Sequence, residues 1–127
     1  KQTDIIAHRW AVGNNSDGTY WSSDFMPSKN KFPGYLHCHG KINFRIFEYI
    51  IIPTNLPSGY TIERHIVTSQ TITDFIRDYA KMRSERIDQP FYNICIFNCI
   101  SWSHGLAQMA ENFVIRKELD KIKNEKP

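Results

Sequence analysis

The sequence predicts an α+β domain, in which an antiparallel sheet of about four to five strands packs against two main helices. Strand-like alternation of apolar and polar residues occupies the first half of the chain, and helical periodicity occupies the second. A dense turn signal at Gly13–Gly18 separates the first two strand-like segments. Strands followed by helices are typical of this fold class.

The size and charge of the chain limit what it can be. Its 127 residues are 41% hydrophobic and 23% charged, which is typical of one globular domain, residues 1–127, with a single core. The net charge of +3 is too weak to argue for a nucleic-acid partner. No apolar run approaches the ~20 residues that cross a bilayer, so we predict no membrane span.

Four segments have the alternating pattern of strands. These are Asp4–Val12, Thr19–Phe25, Gly40–Ile52 and Tyr60–Val67. In the first of them His8 occupies the apolar face, where a polar ring needs a partner. The predicted order is therefore four strands and then two helices.

The two helices are predicted from the 3.6-residue period. The first begins after Ser69, where Thr71 and Asp74 resemble a capping box, and it ends in the stretch S-E-R-I-D-Q-P. The second begins near Cys99, which follows Asn98, a favoured N-cap residue.

Cys99 is the first candidate for chemistry. In the first turn of a helix, the dipole and the free backbone N–H groups favour an anion, so the pKa of a thiol there falls. The same N–H groups could stabilise an oxyanion in acyl transfer. The alternative is that Cys99 is simply a small buried apolar residue, as free cysteines often are.

A cysteine nucleophile needs a base, and His8 is one of five histidines in the chain. His104 lies five positions after Cys99 on the same helix, which points it elsewhere. The alternative for His8 is a core histidine that is bonded to the backbone.

A zinc site is a further alternative for these residue types. The possible ligands are His37, His39, Cys95 and Cys99. The C-x3-C spacing matches zinc knuckles poorly, and the chain has no C-x-x-C, G-x-S-x-G or H-E-x-x-H motif and no phosphate-binding glycine loop. We therefore predict no metal and no cofactor.

Four pieces of the chain, in order, resemble a known family. They are A-H-R-W-A-V, D-G-T-Y-W-S-S-D-F-M-P, I-T-D-F-I-R-D-Y-A-K-M-R-S-E and Y-N-I-C-I-F-N-C-I-S-W-S-H-G. The chain thus resembles circularly permuted papain-like (NlpC/P60-type) cysteine hydrolases, and more closely the papain-like toxin domains of bacterial polymorphic toxins and type VI secretion effectors. The resemblance spans Ala7 to about Phe113. Two departures are Arg9 after the histidine and I-S-W-S-H-G after the cysteine.

The resemblance implies a permuted papain-like fold with Cys99 as nucleophile and His8 as general base. It also implies a third polar residue, on the neighbouring strand, that orients the imidazole. The candidates are Tyr20, Ser22, Ser23 and Asp24. Ser22 shares a strand face with Tyr20, and Asp24 is the best acceptor if the strand extends that far.

By the same resemblance, the chain is expected to be one domain of a longer antibacterial effector that is delivered into a target bacterium. The leading expectation is an amidase or endopeptidase that acts on peptidoglycan in the periplasm and has a cognate immunity protein. A second is a protease or deamidase that acts on a cytosolic protein of the target cell. A third is a zinc-binding domain or a binding module without chemistry, in which Trp10, Trp21 and Trp102, together with the tyrosines, line a ligand groove.

Overall fold

A computed structural model of the chain describes residues 8–29, 31–48 and 62–125. Its elements are β1 (Ala11–Asn14), β2 (Tyr20–Pro27), a 3-10 turn (Gly34–Leu36), β3 (His37–Phe47), α1 (Gln70–Glu85), β4 (Phe91–Asn93) and α2 (Cys99–Glu125). The strands form one four-stranded sheet, in the order β1-β2-β3-β4, with every neighbouring pair antiparallel. The α+β class with an antiparallel sheet and two helices is therefore confirmed.

The β1–β2 hairpin follows from its turn sequence. Thr19 donates its backbone N–H to the carboxylate of Asp17, 2.9 Å away, and Gly18 adopts a φ of 91°. A positive φ of this size is readily accessible only to glycine. The turn predicted at Gly13–Gly18 is confirmed, and it sets the register that pairs Val12 with Ser22.

One face of the sheet carries the core. Alternate residues of β2 are buried, and both helices pack against this face with their apolar stripes. The buried residues are Trp21, Phe25, Cys38, Ile42, Ile72, Ile76, Ala80, Tyr92, Trp102, Leu106 and Ala110. Ser23 is also buried on this face, where its hydroxyl accepts a hydrogen bond of 2.9 Å from Trp102 Nε1 and donates to the carbonyl of Asn43. The other face of the sheet is left for polar side chains.

The predicted strand Tyr60–Val67 is wrong for the part that the structure describes. Residues 62–69 have no regular secondary structure, and the fourth strand is β4, between the helices. In this segment Glu63 instead forms an ion pair with Arg9, and the next residue, Arg64, forms one with Glu111 of α2. Within the described ranges the order is thus β-β-β-α-β-α rather than four strands and then two helices.

The predicted strand Asp4–Val12 is too long. Residues 4–7 lie outside the described part, and strand pairing begins only at Ala11, opposite Ser23. Residues 8–10 are not part of a strand. His8 consequently precedes β1 instead of lying within a strand.

Two further boundaries differ from the prediction. β3 begins at His37, earlier than Gly40, and its predicted end at Ile52 lies outside the described residues. The N-cap of α1 is Ser69, whose side chain accepts the N–H of Ile72, so the expected capping box of Thr71 with Asp74 is wrong. Asp74 instead accepts a hydrogen bond from Gln70.

Within the described ranges, no helix has both the length and the apolar character needed to cross a bilayer.

Candidate active site

The site is built around the start of α2. Asn98 places Cys99 there, because its Oδ1 accepts the backbone N–H groups of Ile100 and Ser101 at 3.0 and 3.1 Å. Its Nδ2 donates to the carbonyl of Ile94 at 2.7 Å, which ties the cap to the preceding turn. The predicted N-cap and the predicted start of the helix are confirmed.

Cys99 is buried, with 3% of its surface exposed. Burial alone would raise the pKa of its thiol, yet the pKa lies below the ordinary value. A hydrogen bond from His8 and one from the backbone N–H of Arg9 outweigh the burial, and the His8 charge and the N–H of Ile100 add to them. These contacts all stabilise the thiolate over the thiol.

His8 lies between Cys99 and β2. Its Nε2 is 3.0 Å from Oδ2 of Asp24. The hydrogen bond to Asp24 and then the one to Cys99 raise the pKa of the imidazole to about 9, against the opposing effect of burial. Trp10 stacks on the ring, with centroids 5.6 Å apart. The raised pKa of His8 and the lowered pKa of Cys99 both favour an imidazolium beside a thiolate.

The Asp24 carboxylate is fixed by hydrogen bonds to two side chains, His8 and Asn43. Burial tends to raise the pKa of its carboxyl, but the hydrogen bonds from His8 and Asn43 bring the pKa below the ordinary value. Asn43 Nδ2 donates to Oδ1 at 2.8 Å, so each carboxylate oxygen has its own partner. A carboxylate fixed in this way orients the imidazole and selects its tautomer.

The structure separates the four candidates for the third polar residue. Asp24 contacts His8, whereas Ser22 lies two residues earlier on the same strand face, opposite Arg45, and makes no hydrogen bond to the imidazole within the described chain. Ser23 is on the core face and bonded to Trp102. Tyr20 stacks on Phe47 instead.

Tyr92 is a neighbour of Cys99 to which sequence reasoning gave no role. It lies on β4, opposite Cys38, and its side chain is buried. Burial first, and then the charge of the Cys99 thiolate, raise the pKa of its hydroxyl. Its presence in the stretch Y-N-I-C-I-F-N-C was the available signal. Asn43 offered none, because only the β2–β3 register brings it to Asp24.

The free N–H groups expected at the start of α2 are mostly occupied. Those of Ile100 and Ser101 go to the side chain of Asn98, and that of Trp102 goes to its carbonyl. The N–H of Cys99 itself interacts with the Tyr92 hydroxyl. An oxyanion at this helix start would therefore compete with Asn98 and Tyr92 for these N–H groups.

The proposed zinc ligands are not brought together. His37 and His39 both lie against the ring of Phe91, at 4.5 and 5.5 Å, on the exposed sheet face. Cys99 instead interacts with His8. Among the described residues, no group of three or more histidine, cysteine or acidic side chains could hold a metal ion.

The proposed tryptophan groove is wrong as well. Trp21 and Trp102 are buried in the core, and only Trp10 is exposed. Two of the three rings are therefore out of reach of a ligand.

The site thus combines a buried cysteine at a helix N-terminus, a histidine that lowers the pKa of its thiol, and an aspartate that is hydrogen-bonded to the histidine. Comparison of the chain with protein-family models, with curated proteins and with solved structures finds no match in any of the three.

Proposed function

We propose that the chain is a cysteine-dependent amide hydrolase with Cys99 as nucleophile, His8 as general acid–base and Asp24 as the residue that positions His8. The observation that carries the proposal is the 3.0 Å hydrogen bond between His8 and Asp24, together with the lowered pKa of the Cys99 thiol, in which His8 is the largest lowering influence. It supports a charged thiolate–imidazolium pair, which is the reactive form of a cysteine nucleophile.

In the first half of the reaction, the Cys99 thiolate attacks the carbonyl carbon of the amide, and a tetrahedral oxyanion forms. On this proposal, the N–H of Cys99 and the hydroxyl of Tyr92, which interact with each other in the resting site, turn to the oxyanion and stabilise it. His8 then gives its proton to the leaving nitrogen, so that the C–N bond breaks and a thioester on Cys99 remains.

In the second half, neutral His8 takes a proton from water as the water oxygen attacks the thioester carbonyl. Collapse of this second tetrahedral species releases the carboxylic acid and regenerates the thiolate beside the imidazolium. Asp24 keeps the imidazole in place through both halves, because its second oxygen is fixed by Asn43. No step needs a group that the chain does not supply.

The proposed biological role is that of an antibacterial effector domain with a peptidoglycan amide as substrate. Its support is the resemblance of the four sequence pieces to papain-like toxin domains, together with the site's chemistry. On this proposal the chain acts in the periplasm of a target bacterium and is neutralised by a cognate immunity protein.

The test compares two compartments of a test bacterium. We expect the exported chain to lyse cells, and Cys99→Ala to be harmless, whereas Cys95→Ala should match the unmodified chain because Cys95 does not contact His8. Released muropeptides would identify the cut bond. Toxicity that depends on Cys99 only in the cytoplasm would move the substrate to a cytosolic protein. No effect that depends on Cys99 in either compartment would contradict a toxin hydrolase.

A further inference from the structure

The C-terminal half of α2 carries an apolar stripe that the core does not use. Its members, Ile115, Leu119 and Ile122, are 55%, 57% and 53% exposed. Ile115 is nine residues after buried Leu106, which at 3.6 residues per turn places it on the opposite side of the helix. Their spacing of four and then three residues is that of a coiled-coil seam.

The charges beside this seam are sorted by sign. With Ile115 and Ile122 at the d positions, Glu118 lies at a g position, and Lys123 lies at the e position of the next heptad. Glu111 and Arg116 occupy the same g and e positions one heptad earlier. Glu111, however, already contacts Arg64 of its own chain. One flank of the seam is therefore acidic and the other basic.

This distribution of charges favours a parallel over an antiparallel pair of helices. In two parallel helices, a g residue faces the e residue of the next heptad of the other helix, so Glu118 of each copy meets Lys123 of its partner. In an antiparallel pair, g faces g and e faces e, which sets like charges against each other. Asn112, at the preceding a position, is also a residue that favours two-stranded parallel pairing.

We propose that the seam Ile115, Leu119 and Ile122 pairs with the same seam of a second copy of this chain, in parallel orientation. The seam begins at Ile115, which lies roughly 24 Å along the helix axis from Cys99. Both candidate active sites therefore stay open in such a dimer. The proposal does not depend on the proposed hydrolase activity.

Sedimentation velocity of the full chain, over roughly a hundredfold range of concentration, tests the association. We expect a reversible monomer–dimer equilibrium that Leu119→Glu abolishes. Ile87→Glu, at a fully exposed residue away from α2, is the matched control and should leave the equilibrium unchanged. A chain that is monomeric throughout the range, or a control that dissociates the dimer equally, would overturn the proposal.

Charge variants test the same seam without changing its apolar residues. Glu118→Lys should weaken the dimer by roughly tenfold, because it sets lysine against Lys123 of the partner copy. The double variant Glu118→Lys with Lys123→Glu should restore it. Equal association of all three chains would contradict the charge argument.

Disulfide trapping tests the orientation. In a Cys95→Ala background, Ile115→Cys should cross-link to itself in a parallel pair. Cross-linking only between Ile115→Cys and Ile122→Cys chains would mean an antiparallel pair and would refute the proposed arrangement.

Discussion

Cys95 lies in the exposed turn that follows β4, whereas Cys99, four residues later, is buried at the start of α2. Cys95 has its backbone N–H bonded to the side chain of Asn93, and no contact places its thiol near a titratable partner within the described chain. Cys99 interacts with His8, 91 positions upstream, and with the backbone N–H of Arg9.

The two cysteines differ in their partners from distant parts of the chain, and these partners lower the pKa of the Cys99 thiol. Burial alone would make Cys99 the less reactive thiol, since it disfavours the charged form. Contacts from the segment before β1 reverse that effect. Variants that remove these contacts one at a time should therefore bring Cys99 closer to Cys95 in behaviour, in steps that follow the strength of each contact.

The largest effect is expected from His8→Ala. Loss of the imidazolium removes the main stabilisation of the thiolate, so alkylation of Cys99 by iodoacetamide at neutral pH should slow by roughly a hundredfold. Mass spectrometry of the labelled peptides measures the rate, with Cys95 as the internal reference. His104→Ala is the control, because His104 contacts Arg64 and lies away from Cys99. Equal slowing in both variants would contradict the pairing.

Asp24→Asn should change the titration of the site. The pKa of His8 in the folded chain is about 9, above its ordinary value of 6.5, so the imidazolium persists at neutral pH and is lost as the pH rises through about 9. Asp24 is the largest cause of this rise, so the variant should lower the His8 pKa toward the ordinary value. NMR titration of the imidazole measures the shift.

Ser22→Ala is the matched control for this titration, since Ser22 shares the strand face and does not contact His8. A His8 titration that moves as far in Ser22→Ala as in Asp24→Asn would mean that Asp24 has no special role. The same pair of variants also shows how the His8–Asp24 contact changes the free energy of unfolding with pH. The His8–Asp24 contact stabilises the folded chain by about 1 kcal/mol after solvent screening. This contribution is fully present below pH 6.5 as long as Asp24 stays ionised, and it is lost as the pH rises through about 9.

Tyr92→Phe is expected to have a smaller effect. Removing the hydroxyl beside Cys99 should slow hydrolysis by about tenfold while leaving the fold intact, because the ring still packs on Phe25. Tyr79→Phe is the control, since its hydroxyl accepts a hydrogen bond from Arg83 of α1. Activity of Tyr92→Phe equal to that of Tyr79→Phe would remove Tyr92 from the site.

The smallest effect on reactivity is expected from Asn98→Ala. This variant loses the cap of α2 and should lower the free energy of unfolding in urea by about 1 kcal/mol, with little change in the order of cysteine labelling. Ser69→Ala at the cap of α1 should cost less, because Ser69 makes one long bond of 3.3 Å where Asn98 makes two shorter ones. An Asn98→Ala chain as stable as the unmodified one would show that the cap does not fix the helix start.

Sequence reasoning succeeded where the signal was local. The turn at Gly13–Gly18 and the start of α2 depend on residues a few positions apart, and both were predicted with the right residues. β4 was missed because a three-residue strand has almost no pattern of its own and forms only against β3. Residues 62–67 have the alternating pattern of a strand, which is why a strand was predicted there. In the structure their charged side chains form ion pairs with Arg9 and with α2, and the segment has no sheet neighbour among the described residues.

The candidate site divides in the same way. Cys99 and His8 could be proposed from helix position, strand pattern and resemblance. The choice of Asp24 over Ser22 could not, because both have the right chemistry and only three-dimensional placement separates them. Asn43 and Tyr92 depend on strand registers, which the order of residues along the chain does not reveal.

The most direct test of the central claim is the order in which the three cysteines of the folded chain react with iodoacetamide from acidic to alkaline pH. The account predicts that Cys99 is alkylated first near neutral pH, ahead of exposed Cys95, and that Cys38 reacts only on unfolding. If Cys95 is labelled first, and Cys99 stays inert until the chain unfolds, Cys99 is a core residue and the proposed nucleophile is wrong.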